Sequence, residues 1–500
     1  METTAPLLYR SLDPSTSEIR LLVVPSDGSE DWGLITVSLD DNPEYFALSY
    51  VWGEKRDPEK IVLQGQGKEV TPNLASALTR IRGGNLGGTS LPTRYLWFMQ
   101  RIFKCAQVVY AWVGPKDYSL AFRTIKTLAN EVARNYSDGN IPDDHGELDE
   151  RHIIGIPPFE LQWLKRHPSL CHKTPNSKRE FKNDSWGAVK DFMWDQYWKR
   201  VWIFQEVVLS RKLYLFSSGD TILSRQYIFI FARSFTGLDL RTKSRKHEVQ
   251  RPDFICPEVW NGLVKSLPYS GMDDVYLAKF HAGTNEQLEK NENLDRQTLD
   301  RLHTDWPQAL AAERLVATEP KDYIYGLLAI SRIPMTPDYS KSVAEVYTEF
   351  VERWMEASKE DRTRPFTPLG FLSLAGVGLF HCSDNFPSWA PNFPENIRLT
   401  DDPLEDVKSQ KDEVLGSFKL IYKKMRDRSI FETERGYLGR GPLQVREGDV
   451  LCAVKNHGPH VLLRKRGDYY TFVGNVFVVG LSPEQSAQEN PSGFKWLKLR

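Results

Sequence analysis

The chain has 500 residues, of which 40% are hydrophobic, 26% charged and 12% aromatic, a globular composition that excludes wholesale disorder. At about 150 residues per domain, that length predicts about three domains. Its 65 Lys and Arg balance 66 Asp and Glu to a net charge of −1, which excludes a general polyanion binder, so no nucleic-acid partner is expected.

In chain order, residues 18–24 and 34–39 carry strand patterning, with Ser26 to Ser29 as the turn region between them. Residues 45–51 (YFALSYV) form a further β-rich run closed by Trp52-Gly53. Thr71 is placed to cap a helix that Pro72 opens, with Leu74, Leu78 and Ile81 on one face and Gly83-Gly84 at its end. Residues 98–106 read as a helix, 108–113 as a strand and 119–135 as a helix. The stretch 137–185 lacks periodicity and reads as a long insertion or loop. Residues 186–210 read as strongly helical, and 240–312 as charged, mostly helical and surface-exposed.

Further on, TEPKDYIYGLLAIS (318–331) has the signature of a helix start, and 341–358 is amphipathic. The segment 384–394 is a Pro-rich turn. From 429 onward the runs SIFET, VLCAVK, VLLRK, YYTFVG and VFVVGL predict an antiparallel meander. The domain reading is therefore an α/β domain over 1–235 with its insertion at about 137–185, a mostly helical region over 236–415 and a β-rich unit over 416–500.

The five cysteines include no C-x-x-C pair, so a disulfide framework and a structural zinc site are not expected. The ten histidines form no H-E-x-x-H, and no metal is expected. Gly83 to Gly88 (GGNLGG) and Gly436 to Gly441 (GYLGRG) fail both phosphate-loop patterns and read as turn glycines. No basic n-region with an apolar core opens the sequence, and its longest near-apolar run, 371–380, falls short of the about 20 residues of a membrane helix. A cytoplasmic protein with no membrane span is expected.

The segment Asp195 to Glu206 stands out. As one helix it would align Trp198, Trp202 and Glu206 at i, i+4 and i+8. A carboxylate ending an aromatic column is partly desolvated, which raises its pKa and suits acid/base or charge-stabilising work. The alternative is a packed amphipathic helix whose Glu206 makes an ion pair or caps a neighbouring loop.

Three blocks together resemble the fungal heterokaryon-incompatibility (HET) domain family. Tyr45 to Gly53 (YFALSYVWG), with Thr71-Pro72-Asn73-Leu74 and Ala77-Leu78, is similar to the opening A-L-S-Y-x-W-G strand and N-L-x-x-A-L helix. Tyr197 to Glu206 (YWKRVWIFQE) is similar to the R-x-W-x-x-Q-E block. Ala317 to Leu328, Pro387 to Pro391 and the Gly436 to Asp449 region resemble segments that follow the domain in many members. One departure is clear. The middle block L-W-x-D-x-x-C-I-x-Q is cut short, because Leu96-Trp97 passes straight to Phe98-Met99-Gln100. A mis-predicted exon and a degenerate copy both account for that.

The resemblance implies a TIR-like, flavodoxin-like α/β fold for the N-terminal domain, and a role in fungal non-self recognition and regulated cell death. Its partners would be other proteins of the incompatibility system, with self-association. The enzymatic alternative is a TIR-like NAD glycohydrolase with NAD as substrate; a third is an inactive family copy. By the same analogy Glu206 would be the catalytic residue, and Ser49, Tyr50, Trp52, Gly53 and Trp202 would bind the ligand.

Overall fold

In the computed structural model, the structure describes residues 12, 16–25, 29–52, 57–83, 99–136, 161–179, 181–232, 251–266, 315–331, 333–360, 428–454, 460–479, 481 and 495–499. The chain divides into two compact units, Met1–Gly283 and Thr284–Arg500.

Ile19 and Leu21 alternate with half-buried positions and bury one face of strand β1 (Glu18–Val23). It pairs antiparallel with β2 (Asp31–Ser38), from Glu18 opposite Ser38 to Val23 opposite Gly33. β4 (Glu59–Leu63) joins β2 in parallel and turns back into β5 (Gln66–Val70). The turn residues Gln64 and Gly65 both have positive φ, 51° and 73°, the two-residue geometry that suits the twist of a hairpin. The first sheet thus has the order β1-β2-β4-β5.

The second sheet carries the site. β3 (Phe46–Tyr50), β6 (Val108–Trp112) and β7 (Leu213–Phe216) run parallel, and the short β8 (Leu223–Ser224) closes the edge antiparallel, in the order β3-β6-β7-β8. Phe46, Leu48, Tyr110, Trp112 and Phe216 share one face and form a core with Trp32 and Leu63 of the first sheet. Helix α1 (Pro72–Arg82) lays Ala77, Leu78 and Ile81 on the same core. It begins as the sequence predicts: Thr71 accepts the Leu74 N–H at 3.4 Å and Pro72 occupies the first turn.

The opposite face of β3 presents the small Ala47 and Ser49, both fully buried, and α5 (Val201–Leu209) packs on it. Helix α2 (Met99–Cys105) packs on α5 in turn, and the Tyr45 hydroxyl ties it to β3 by donating to the Ile102 carbonyl at 2.7 Å. Both faces of the parallel sheet are therefore covered, as parallel sheets require. Helix α3 (Ser119–Tyr136) packs against α4 (Asp184–Met193).

Two expectations change here. The single helix over 186–210 is three pieces: α4, a 3-10 helix at Gln196–Lys199, and α5, with extended backbone at Asp195 and Arg200. Asp195 caps the middle piece by accepting the Tyr197 N–H at 2.8 Å, which competes with helical pairing. Within 137–185, residues from Leu161 onward belong to the core rather than to a loop. Trp163, Leu164, Leu170 and Phe181 are buried, and the Asn183 amide fixes Ser169 and His172 through their carbonyls. Residues 137–160 lie outside the described residues.

Of the 240–312 stretch, the described part includes the helix Pro257–Ser266, which buries Val259, Trp260 and Leu263 rather than lying wholly exposed. In the second unit, the predicted helix after Thr318 is two single turns, Asp322–Tyr325 and Leu328–Ser331. They precede the long amphipathic helix Val343–Glu360. The segment 384–394 lies outside the described residues.

The C-terminal strands are β9 (Arg428–Glu432), β10 (Leu438–Pro442), β11 (Val450–Cys452), β12 (His460–Arg466) and β13 (Tyr469–Val478). All pair antiparallel, in the order β11-β12-β13-β10-β9. A simple meander would set β10 beside β11; instead β13 returns to pair with β10. The runs YYTFVG and VFVVGL are one strand, with an irregularity opposite Leu462 and Leu463. Gly436 is a turn glycine with φ 81°. Gly439 is not: a Cβ there would stand 2.3 Å from the Phe431 ring.

Among the described residues no helix is long and apolar enough to cross a membrane, no His/Cys/Asp/Glu cluster fits a metal ion, and Cys105, Cys171, Cys256 and Cys452 are free thiols.

Candidate functional site

The carboxyl ends of β3, β6 and β7 lie along one edge of the second sheet. Ligands of parallel α/β sheets bind outside such an edge. Asn73, in the first turn of α1, holds two of these ends together. Its amide donates to the Val51 carbonyl at 2.6 Å, and its carbonyl accepts the Trp112 indole N–H at 2.7 Å. Between β6 and β7, the Tyr118 N–H donates to the Ser217 hydroxyl at 3.2 Å, and Asp117 caps α3 through the Ser119 N–H at 2.8 Å.

Behind that edge sits the polar centre. Ser49 of β3 and Tyr197 of the 3-10 helix share a hydrogen bond of 2.7 Å between fully buried hydroxyls. Glu206, in the second turn of α5, is buried against them and is 6% exposed. Burial pushes its carboxyl up to about 7, against the downward pull of a Ser49 hydrogen bond and of the Arg200 charge. Tyr197 is pushed well above the usual phenol range, first by burial and then by the Glu206 charge. Tyr50 is pushed up to about 12 by the same two causes in the same order.

The Glu206 Oε2 atom has no hydrogen-bond partner among the described residues, and neither has either amide atom of the neighbouring Gln205. Buried polar groups without partners are rare in folded proteins. Among the described residues, Glu206 thus makes no ion pair and caps no loop through Oε2.

The structure brings Ser49, Tyr50 and Glu206 together. Trp52 follows Tyr50, stacks on it at 6.4 Å with rings 5° from parallel, and is 47% exposed. Trp202 is half-buried, one turn before Glu206 on α5. Gly53 lies outside the described residues. The aromatic column does not form. Trp198 belongs to the 3-10 helix, sets its ring edge-on to Phe192 and donates to the Phe192 carbonyl at 3.0 Å. Glu206 is desolvated by burial on a helix that packs against β3.

Sequence reasoning gave no role to Tyr197, Gln205 or Asn73, although all three stand in the family-like blocks. Tyr197 stands on the 3-10 helix that the Asp195 cap opens and the extended Arg200 closes, and from there its hydroxyl meets Ser49.

Chemically, the centre offers a carboxyl that titrates near neutrality, two hydroxyls able to relay a proton, and exposed Trp52 close by. A family profile described as "Heterokaryon incompatibility protein (HET)" matches residues 96–206, so the match ends on Glu206. The chain is similar to "Heterokaryon incompatibility protein 6, OR allele" of Neurospora crassa, at 22% identity over 427 residues. That match covers 78% of this chain and 59% of the relative, so the chain spans about three fifths of the relative's length. No solved structure matches.

Proposed function

We propose that the chain, whose residues 96–206 match the heterokaryon-incompatibility (HET) profile, is a HET-domain protein that acts in fungal non-self recognition and triggers regulated cell death. The observation that carries this reading is the coincidence of the family match with the polar centre: the matched segment ends on Glu206, the buried carboxyl under Ser49. In this reading the HET domain occupies 1–235, a helical region 236–415 and a β unit 416–500. The protein works in the cytoplasm, with other proteins of the incompatibility system and with further copies of itself.

Three parallel strands with helices on both faces support a TIR-like, flavodoxin-like arrangement. In that arrangement the first strand has a neighbour on each side. Among the described residues, β3 pairs with β6 alone. The chain between α1 and α2, where a second neighbour would arise, is the part shortened after Trp97. The Trp97–Phe98 junction itself lies outside the described residues.

The unpartnered Oε2 of Glu206 favours an enzymatic second reading. Here the carboxylate stabilises an oxocarbenium-like state as the nicotinamide–ribose bond of NAD breaks, while Ser49, Tyr50, Trp52, Gly53 and Trp202 hold the dinucleotide. With Glu206 only 6% exposed, this reading needs β3 and α5 to part at the ligand edge.

Inducible expression of the full chain in a fungal host, with viability and cellular NAD followed together, separates the readings. Death with NAD unchanged is expected for the signalling reading. Death with falling NAD assigns the enzyme. Full viability at high protein level overturns both and leaves the inactive copy.

A further inference from the structure

The outer face of the C-terminal sheet exposes several large apolar side chains around one arginine and one glutamate. Directly opposed residues of antiparallel strands point to one face. Ile430 and Phe477 both oppose Arg440, so the three form one row across β9, β10 and β13. Glu432 opposes Leu438, and the Val479 N–H donates to the Leu438 carbonyl, which sets the next row. Ile430 is 70% exposed, Leu438 55%, Phe477 69% and Val479 60%. The opposite face holds the core of Val476 and Val478, with Phe431 packed beside it. Four large apolar side chains side by side on one exposed face mark an interaction site rather than ordinary surface.

Charge says what covers it. Arg440 stands in the middle of the apolar row, and its Nε and Nη2 are shielded from solvent with no hydrogen-bond partner among the described residues. Glu432 is exposed in the neighbouring row. No ion pair joins the two within the chain. A two-fold interface sets residue i of one copy on j of the other and j on i. The face is self-complementary in that sense, with one cation and one anion offset across an apolar strip.

We infer that this sheet face is a homodimer interface, in which Arg440 of each copy pairs with Glu432 of the other and Phe477 and Leu438 fill the dry centre. An arginine bound to a carboxylate within an apolar surround is a common anchor of protein interfaces. The inference gives a surface to the self-association proposed above. It rests on the C-terminal sheet alone, so its failure leaves the HET reading untouched.

The test is sedimentation of the purified full chain across micromolar concentrations. The wild type is expected to be dimeric. Arg440→Glu and Glu432→Arg should each weaken association by about tenfold or more, Phe477→Asp should abolish it, and the double variant Arg440→Glu/Glu432→Arg should restore it. Circular dichroism of each variant checks the fold; if one singly charged variant fails to fold, the other and the double variant still decide. A monomeric wild type overturns the inference. So does a dimer indifferent to Phe477→Asp, or a double variant no better associated than the single ones.

Discussion

The Ser49 hydroxyl of β3 and the Tyr197 hydroxyl ahead of α5 lie 2.7 Å apart in a fully buried contact, with the Glu206 carboxyl beside them. That bond joins a strand to a helix entry 148 positions away in the chain. It is one of the contacts that hold the 3-10 helix at Gln196–Lys199, with the Asp195 cap and the Trp198 bond to Phe192.

Replacing Tyr197 by Phe removes one buried partner and leaves the Ser49 hydroxyl to satisfy itself on Glu206 alone. The expected cost is about 1–2 kcal/mol, read as a lower urea midpoint. An unchanged midpoint would show that the hydroxyl pair contributes nothing to stability.

Glu206 makes stability depend on pH with a definite sign. Its carboxyl rises from 4.5 when unfolded to about 7 when folded, so the native state holds the proton more tightly. That contribution is fully present below pH 4.5 and is lost as pH rises through 7, a difference on the order of 3 kcal/mol. Unfolding midpoints at pH 5 and pH 8 should therefore converge in Glu206→Gln, with the variant the more stable at pH 8. A variant with the wild-type pH slope would place the titration elsewhere.

Asn73→Ala should cost about 2–3 kcal/mol, because it strands the indole N–H of Trp112, a residue only 1% exposed. Asn73→Asp keeps that acceptor and loses the donor to Val51, so it should fall between alanine and wild type. Thermal melting of the three proteins ranks them; an alanine variant as stable as wild type contradicts the role assigned to Asn73.

Gly439→Ala places a methyl group 2.3 Å from the Phe431 ring. Overpacking of that kind costs about 1–3 kcal/mol. Limited proteolysis should open the C-terminal sheet sooner in the variant, whereas Gly448→Ala meets nothing within 4 Å and is strained only through its φ of 87°. Equal resistance of Gly439→Ala and wild type would mean that Phe431 moves freely.

Much of the fold was legible because local chemistry dictated it. Thr71 and Pro72 announce α1 by capping, and the apolar run Val108 to Val113 announces a strand. The β4–β5 hairpin escaped because Glu59, Lys60, Lys68 and Glu69 dilute its alternation and its turn is Gln-Gly rather than Asn-Gly. β10 escaped for another reason: Leu-Gly-Arg-Gly-Pro has little strand propensity, and its glycines serve the close approach of Phe431 and Val476. Glu206 was legible as a desolvated carboxylate, whereas the continuous helix that would align Trp198 with it is interrupted at Arg200. The helix breaks at Arg200 where Asp195 caps the preceding turn and Trp198 turns toward Phe192, a cap that the surrounding helix-compatible run masks in the sequence.

The most direct test of the account is colony viability after induction of the wild-type chain and of Glu206→Gln at equal protein levels. The account places the polar centre around Glu206 at the origin of the death signal, so wild type should kill and Glu206→Gln should lose killing by about tenfold or more, the scale of one lost functional group. Equal killing by the two proteins would contradict it and reduce Glu206 to a packing residue.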